Sequence, residues 1–409
     1  MEHGRKVVNA LRQARSVRNV ISLDRNLLIL GATVVVSSTF WNSWYPFLPI
    51  YLSKMGAGAK DLGLLFSILF FASSLAHFAG GMLADRFGRK FPIVSGGALS
   101  SLSLFATASV SDWKLLSIFI FFGTCFSFLQ MTPPQLIIAE STSESERAKA
   151  FGNWAVYSKI GPLIGPILGG ILAPEYDLRY LLFLNAIAVA SMTVIRATCL
   201  RETFDRKANG AKRERPKTRF TLSGNLLLFL YSCIVLSFAG GLTWVFVPIF
   251  STDFIHMSTA QIGMMFSITS LMMLISSMPS GKIIEAFGPK RTLIISYFLS
   301  CAINIPWMYS PNSIIAISLN AISNACLGIG EVAYQTAIVK MTSLETRGRV
   351  MGGFDAIFVV TYSVGSAVGG WVWENASPYA LFWVAGLLGM PVAFVMSLVR
   401  IENDEIQEK

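Results

Sequence analysis

Apolar runs of about twenty residues recur twelve times along this 409-residue chain, and no other property limits its fold as tightly. They lie at roughly 27–52, 61–84, 91–110, 114–139, 149–173, 179–199, 223–250, 261–285, 291–309, 313–339, 349–373 and 378–399. Each is long enough for a hydrocarbon core of about 30 Å. Inside such a core every backbone N–H and C=O must be satisfied within the protein, and a helix does this within its own segment. Composition agrees, with 53% hydrophobic and 14% charged residues, against about 25% charged in a soluble domain. The expectation is an all-α polytopic membrane protein.

The formal charge of +10 raises the question of a nucleic-acid partner, and its distribution answers it. With the first helix entering from the cytoplasm, 28 of the 33 Lys/Arg fall on the N-terminal segment, alternate loops and the C-terminal tail. Lys54, Lys60, Lys114 and Arg179 fall on the other side, and Lys159 lies within a run. This is the positive-inside asymmetry, so the charge sets topology. It implies cytoplasmic termini and no nucleic-acid role. The first 26 residues hold six Lys/Arg and no apolar core, so no cleavable signal is expected. There Val7, Leu11, Ala14, Val17 and Ile21 recur at helical spacing, consistent with an amphipathic helix on an anionic leaflet or with a basic tail lacking structure. The five cysteines have no metal-ligand spacing, and neither metal nor cofactor is expected.

The chain repeats itself. Shifted by 200 residues, "GLLFSI" (63–68) falls on "GMMFSI" (263–268), and "GMLADRFGRK" (81–90) on "GKIIEAFGPK" (281–290). Thr142, Ser143, Arg147, Gly152, Gly165, Gly169 and Gly170 also meet identical residues 200 places on. The charged stretch 201–222 separates the copies and reads as a linker. The expected organisation is a basic segment 1–26, six-helix bundles at 27–200 and 223–400, and a tail at 401–409. A parallel repeat of this kind, with substrate between the halves, builds one class of secondary transporter.

The loop "GGMLADRFGRK" resembles the signature of the major facilitator superfamily, and the resemblance extends over essentially the whole chain. It implies two six-helix bundles working by alternating access. In that family the loop latches one state, which assigns a switch role to Gly81, Asp85, Arg86, Gly88, Arg89 and Lys90, with Asp85 near the start of helix 11. A loop this basic also serves as a topology anchor. "FGNWAVYSKIGPLIGPILGG" (151–170) resembles the helix 5 motif of the drug/proton antiporter branch through Gly152, Gly161, Gly165, Pro166, Gly169 and Gly170. Small residues permit close helix approach. In the family this motif seals the outer side and goes with exchange. The corresponding stretch 365–370 keeps its glycines and lacks the prolines, which points to a special role for helix 5. "YPFLPIYL" (45–52) resembles the same branch's helix 1 motif. The branch's usual helix 4 arginine is missing from "SIFIFFGTCF" (117–126), so coupling uses other residues or the carrier is not proton-driven.

An ionisable residue at bilayer depth is a functional candidate by default. Glu331, Lys159, Asp355 and His77 qualify. Glu331 is the first choice for a proton-binding carboxylate, Lys159 and Asp355 have ion-pair alternatives (Asp355 with Arg89), and His77 has a structural one. Trp41, Asn42, Tyr45, Gln130, Tyr157, Trp244, Tyr334 and Gln335 are the candidate cavity wall. The leading function is proton-coupled export of amphipathic or drug-like small molecules across the plasma membrane, by a monomer. The alternatives are an importer or uniporter of a small polar metabolite, and a non-transporting membrane sensor. No nucleophile–base pair, phosphate loop or metal cluster points to an enzyme.

Overall fold

A computed structural model describes residues 25–173, 177–204, 224–343 and 346–401 of the chain. The expected N-terminal amphipathic helix, most of the linker and nearly all of the tail lie outside the described residues. Twelve helical rods follow one another: α1 (Arg25–Lys54), α2 (Ala59–Phe87), α3 (Lys90–Ser109), α4 (Trp113–Ser141), α5 (Glu144–Leu172) and α6 (Leu178–Cys199) in the first half. The second half holds α7 (Gly224–Asp253), α8 (259–287), α9 (Pro289–Trp307), α10 (Ser313–Met341), α11 (Arg347–Asn375) and α12 (Pro378–Leu398). Eleven described helices are long and apolar enough to cross a membrane. The exception, α9, is diluted by Lys290, Arg291, Ser296, Ser300 and Asn304 and packs between α10 and α12.

Several rods are interrupted where proline removes a backbone donor and crowds the preceding turn. A 3₁₀ turn at Tyr45–Phe47 divides α1 beside Pro46. Breaks in α4, α7 and α8 fall next to Pro133, Pro248 and Pro279. Large apolar side chains face outward, as Ile314 (74% exposed) and Phe394 (70%) show. The closest helix contacts are made at small residues, because lipid tails leave little hydrophobic drive between helices and close packing must supply the attraction.

The repeat is visible in that packing. A Cβ on Gly165 would meet Thr39 O at 2.5 Å, holding α5 against α1, and one on Gly365 would collide with Phe238 O, holding α11 against α7. The glycines therefore do the same work in both halves, and the special role expected of helix 5 cannot rest on them. Gly152 has nothing near its Cβ position.

Among the described residues the halves share an apolar core at one end only. A single apolar core crosses both, running from Trp44, Phe47 and Phe66 to Phe246, Phe250, Trp307 and Phe382. Toward the ends carrying the basic loops the core divides in two. Leu30, Ile93, Ile137 and Leu200 belong to the first half, and Phe229, Leu293, Ala337 and Val350 to the second. We call these the joined end and the basic end.

Candidate functional site

Between the halves lies a cavity of about 680 Å³. At the joined end its roof is an aromatic plug, in which Tyr45 and Phe70 approach Trp244 at 5.6 Å each and Phe70 meets Tyr362 at 5.1 Å. Below the plug the two walls differ. The first half supplies Asn42, Tyr45, Pro46, Pro162 and Pro166. The second supplies nearly all the polarity: Thr269, Asn304, Asn320, Asn324, Glu331, Gln335 and Asp355. On α10 the residues 320, 324, 327, 331 and 334/335 recur at helical spacing, which aligns them on one face. Glu331, Gln335 and Asp355 line the cavity and are nevertheless exposed, so water reaches them from the basic end.

Neither Glu331 nor Asp355 makes an ion pair with a described residue. Tyr297 lies within electrostatic range of Glu331, and Tyr334 within range of both Asp355 and Tyr297. Both carboxylates share the cavity wall with the phenols of Tyr297 and Tyr334. Lys159 is also exposed and makes no ion pair with a described residue. It lies three and seven residues before Pro162 and Pro166, on the cavity-facing stripe of α5 but outside the cavity wall. His77 is exposed, two turns beyond Phe70 on α2, and its carbonyl accepts from Thr132 Oγ1 at 3.1 Å.

Of the eight candidate wall residues, Asn42, Tyr45, Trp244, Tyr334 and Gln335 line the cavity. Trp41 does not; it stacks on Tyr45 at 5.2 Å. Tyr157 does not either, because its ring covers Gly31 and fills the seat between α5 and α1. Gln130 turns into the first half, where its Oε1 accepts from Arg196 Nη1 at 3.0 Å. That arginine was counted above only among the topology charges. It is 9% exposed, and its Nε and Nη2 donate to Thr33 Oγ1 and Ser37 Oγ at 2.9 and 3.3 Å. A buried cation held by neutral groups ties α1, α4 and α6 together.

The signature loop holds a denser network. Gly88 has φ +99°, a backbone that favours glycine, and its N–H closes α2 on Ala84 O at 3.2 Å. The buried Arg89 donates to Asp85 at 2.6 Å and to Glu140 on α4 at 2.6 and 2.9 Å. Burial works against its charge, and these hydrogen bonds more than offset that, leaving its pKa above the ordinary arginine value. Asp85 is therefore spent inside the first half and is 74% exposed, not seated on α11. Asp355 is likewise not the partner of Arg89. Residues 201–204, expected to belong to the linker, are docked here. Glu202 accepts the N–H groups of Arg89 and Lys90 at 2.9 and 3.0 Å, Thr203 donates to Glu140 at 2.8 Å, and Phe204 lies 5.1 Å from the Arg89 guanidinium. The second half keeps the fold of this corner and loses its chemistry. Arg400 N–H bonds Asn225 as Arg201 N–H bonds Asn26, but Ile401 stands in place of Glu202 and Pro289 lacks the N–H that Arg89 offers.

Comparisons with known proteins agree with this architecture. The family model described as Major Facilitator Superfamily matches residues 30–254 and 227–409. The multidrug resistance protein MdtG of Yersinia enterocolitica is 26% identical over 344 residues, covering 81% of this chain and 82% of that protein. MdtG of Escherichia coli is 24% identical over 378 residues, covering 89% and 91%. Among solved structures, the nucleoside transporter NupG matches with TM-score 0.75 at 15% identity, over 91% of this chain and 98% of that chain. A bacterial homologue of the lysosomal transporter Spinster, in an inward-facing and occupied conformation, matches at 0.73 and 14% identity, over 92% and 97%. At these identities the structural likeness speaks for the fold alone. Repeat, signature loop, twelve-rod architecture and family match converge: this chain belongs to the major facilitator superfamily and is a transporter, not an enzyme.

Proposed function

We propose that the protein is a proton-coupled exporter of amphipathic small molecules, held in the plasma membrane with both termini and the basic end in the cytoplasm. The observation that carries this reading is the cavity, open at the basic end and closed at the other, with two carboxylates that have no basic partner on its wall. A site accessible to one side at a time can load on that side and release on the other once the closed and open ends exchange. Glu331 and Asp355 are groups that can take up and lose a proton as their surroundings change from watered to enclosed. The apolar wall of prolines and aromatics opposite them gives cargo a greasy surface beside a polar one. The MdtG relatives are described as multidrug resistance proteins, which supports export.

In this conformation the cavity would face the cytoplasm, where an exporter loads. The signature loop would be a switch at rest, its Asp85 held by Arg89 until the basic ends close. The test is uptake of a compound panel into proteoliposomes with and without an imposed pH gradient. Gradient-driven accumulation of amphipathic compounds is expected. Transport indifferent to the gradient would leave a uniporter. That second reading has its own support in the amides Asn304, Asn320 and Asn324, which suit a hydroxyl-rich metabolite, and in the absent helix 4 arginine.

A further inference from the structure

The cavity reaches deeper into one half of the molecule than into the other. The first half lines it from α1 and α5 alone. The second half adds two outer helices, with Tyr297 and Asn304 from α9 and Met396 from α12. Cys233 and Met396 touch the cavity although they are only 8% and 3% exposed, so both lie at the end of a recess. α7 packs on α11 and α12, and α10 chiefly on α8 and α9. The recess runs between α7 and α10, with α9 and α12 behind it. Tyr297 and Tyr334 each lie within electrostatic range of Cys233, so side chains of three helices converge there.

The repeat explains why the recess exists, because the same place in the first half is filled. There Arg196 reaches Thr33, Ser37 and Gln130, and Gly97 leaves it room: a Cβ on Gly97 would lie 3.2 Å from Gln130 Oε1. Two hundred residues on, Met396 stands for Arg196, Gly330 for Gln130 and Tyr297 for Gly97. The register holds in space, since Gly96 lies against Gln130 as Ser296 lies against Gly330. On α7, Gly365 seats on Phe238 as Gly165 seats on Thr39, which brings Leu236 to the place of Ser37. A guanidinium, an amide and a hydroxyl thus give way to a thioether, a hydrogen and a branched hydrocarbon. The Tyr297 ring takes back part of the space by lying near Gly330, and the rest stays open to the cavity. Its lining of Cys233, Leu236, Tyr297 and Met396 is uncharged. Thiol and thioether sulfurs make favourable contacts with aromatic rings, and the Tyr297 hydroxyl offers one polar handle. An ion would exchange its water for groups that cannot replace it.

We propose that the recess between α7, α9, α10 and α12 is a separate binding site for a single uncharged aromatic ring, held by Cys233, Leu236, Tyr297 and Met396. All its walls belong to the second half, so the site persists whichever end of the molecule is open. It rests on the function proposed above only in using the cavity as its entrance. Neither the charge of the cargo nor proton coupling enters.

Thiol labelling of the full chain in nanodiscs tests this without any transport measurement, so a failure of the export reading leaves the result readable. With Cys125, Cys199, Cys301 and Cys326 changed to alanine, Cys233 should react with N-ethylmaleimide in the folded protein despite its burial. Phenol at about 10 mM, above the millimolar affinity within reach of so small a ligand, should slow that reaction at least about threefold. Benzoate and benzylammonium, rings of similar size that carry a charge, should leave the rate within about a factor of 1.5. Met396→Trp fills the recess and should slow labelling at least about tenfold, since reaction then waits on local opening. Reaction of Cys233 only after unfolding overturns the proposal. So do equal effects of the three compounds, stronger protection by either ion, or labelling unaffected by Met396→Trp. If the four-alanine protein does not fold, fluorine NMR of 4-fluorophenol with the wild-type chain and with Leu236→Trp decides. Exchange broadening that is lost in the filled variant is expected, and equal broadening in both overturns the proposal.

Discussion

The joined end is closed by two seams that the sequence repeat makes equivalent in position and that differ in chemistry. One runs between α2 and α11, the other between α8 and α5. Gly63 meets Gly370 in the first and Gly263 meets Gly170 in the second, with the carbonyl of Ser366 or of Pro166 lying against the α2 or α8 glycine. The backbones pack alike. In the α2–α11 seam, however, Ser366 donates to Gly63 O at 3.2 Å, and Ser363 donates to Ser67 O at 2.7 Å with the two hydroxyls 3.0 Å apart. The Glu374 carboxylate accepts the Lys60 N–H at 3.0 Å, capping α2 from the other half. In the α5–α8 seam no side-chain hydrogen bond crosses among the described residues. Pro166 replaces Ser366, Leu163 stands where Ser363 stands, and the Ser267 hydroxyl, counterpart of Ser67, is buried without a partner. One seam is fastened and the other only fits. Parting the first must break hydrogen bonds, whereas the second loses only van der Waals contact, so α5 and α8 are free to move first.

The glycines are the most severe way to break this comparison. Gly263→Leu or Gly63→Leu puts a side chain where a backbone carbonyl already lies, and overpacking of this sort costs about 1–3 kcal/mol or more. Either should hold the joined end open, raising thiol labelling there and lowering transport at least about tenfold. Because Gly165 and Gly365 seat α5 on α1 and α11 on α7 alike, leucine at either should impair transport to the same degree. A large difference would point to the prolines of helix 5 as giving it a role of its own.

Next in size is conversion of one seam to the other's chemistry. Ser363→Leu with Glu374→Ala removes the Ser363–Ser67 and Glu374–Lys60 hydrogen bonds from α2–α11 and leaves that of Ser366. Interhelical hydrogen bonds in membranes average about 0.6 kcal/mol, so the double variant should shift the population toward the open joined end by a few-fold, read as faster labelling at Lys60→Cys. No change would mean that the seam is held by packing alone. The smallest effect is the reverse exchange. Leu163→Ser offers Ser267 a partner and should slow labelling by less than about threefold, on the same scale.

The basic end supplies a parallel contrast, since the first half's corner is charged and strapped and the second's is not. Glu202→Gln should loosen the signature loop in the first half, making Arg89 and Lys90 amides exchange hydrogen faster by roughly tenfold. Lys290 exchange in the second half should be unchanged.

How much of this was legible in the sequence follows from the range of the contacts. The rods, their repeat and the signature loop are local patterns and were readable. The partners of Arg89 lie 51 residues away in Glu140 and 113 away in Glu202, and no spacing announces them. Glu331, Asp355, Asn42, Tyr45, Trp244, Tyr334 and Gln335 reached the cavity because depth and polarity marked them. Asn320 and Asn324 were missed although their spacing from Glu331 repeats along one face of α10. Arg196 was hidden by a rule that works: it sits at the basic end of α6, where a topology charge is expected, and only burial shows that it serves the interior. Trp41, Tyr157 and Gln130 were misplaced because an aromatic or amide in a helix fits a cavity wall and a helix contact equally well.

The central claim is that the ends of this molecule open alternately about the two seams. Paired distances from electron-spin labels test it most directly, one pair at Lys60→Cys and Asn375→Cys across the joined end and another at Lys149→Cys and Gly352→Cys across the basic end. Without cargo, the joined pair should be short and narrowly distributed and the basic pair long. Conditions that shift the population should lengthen the first and shorten the second in the same sample. Both distances moving in the same direction, or the basic pair shortening while the joined pair stays fixed, would contradict the account.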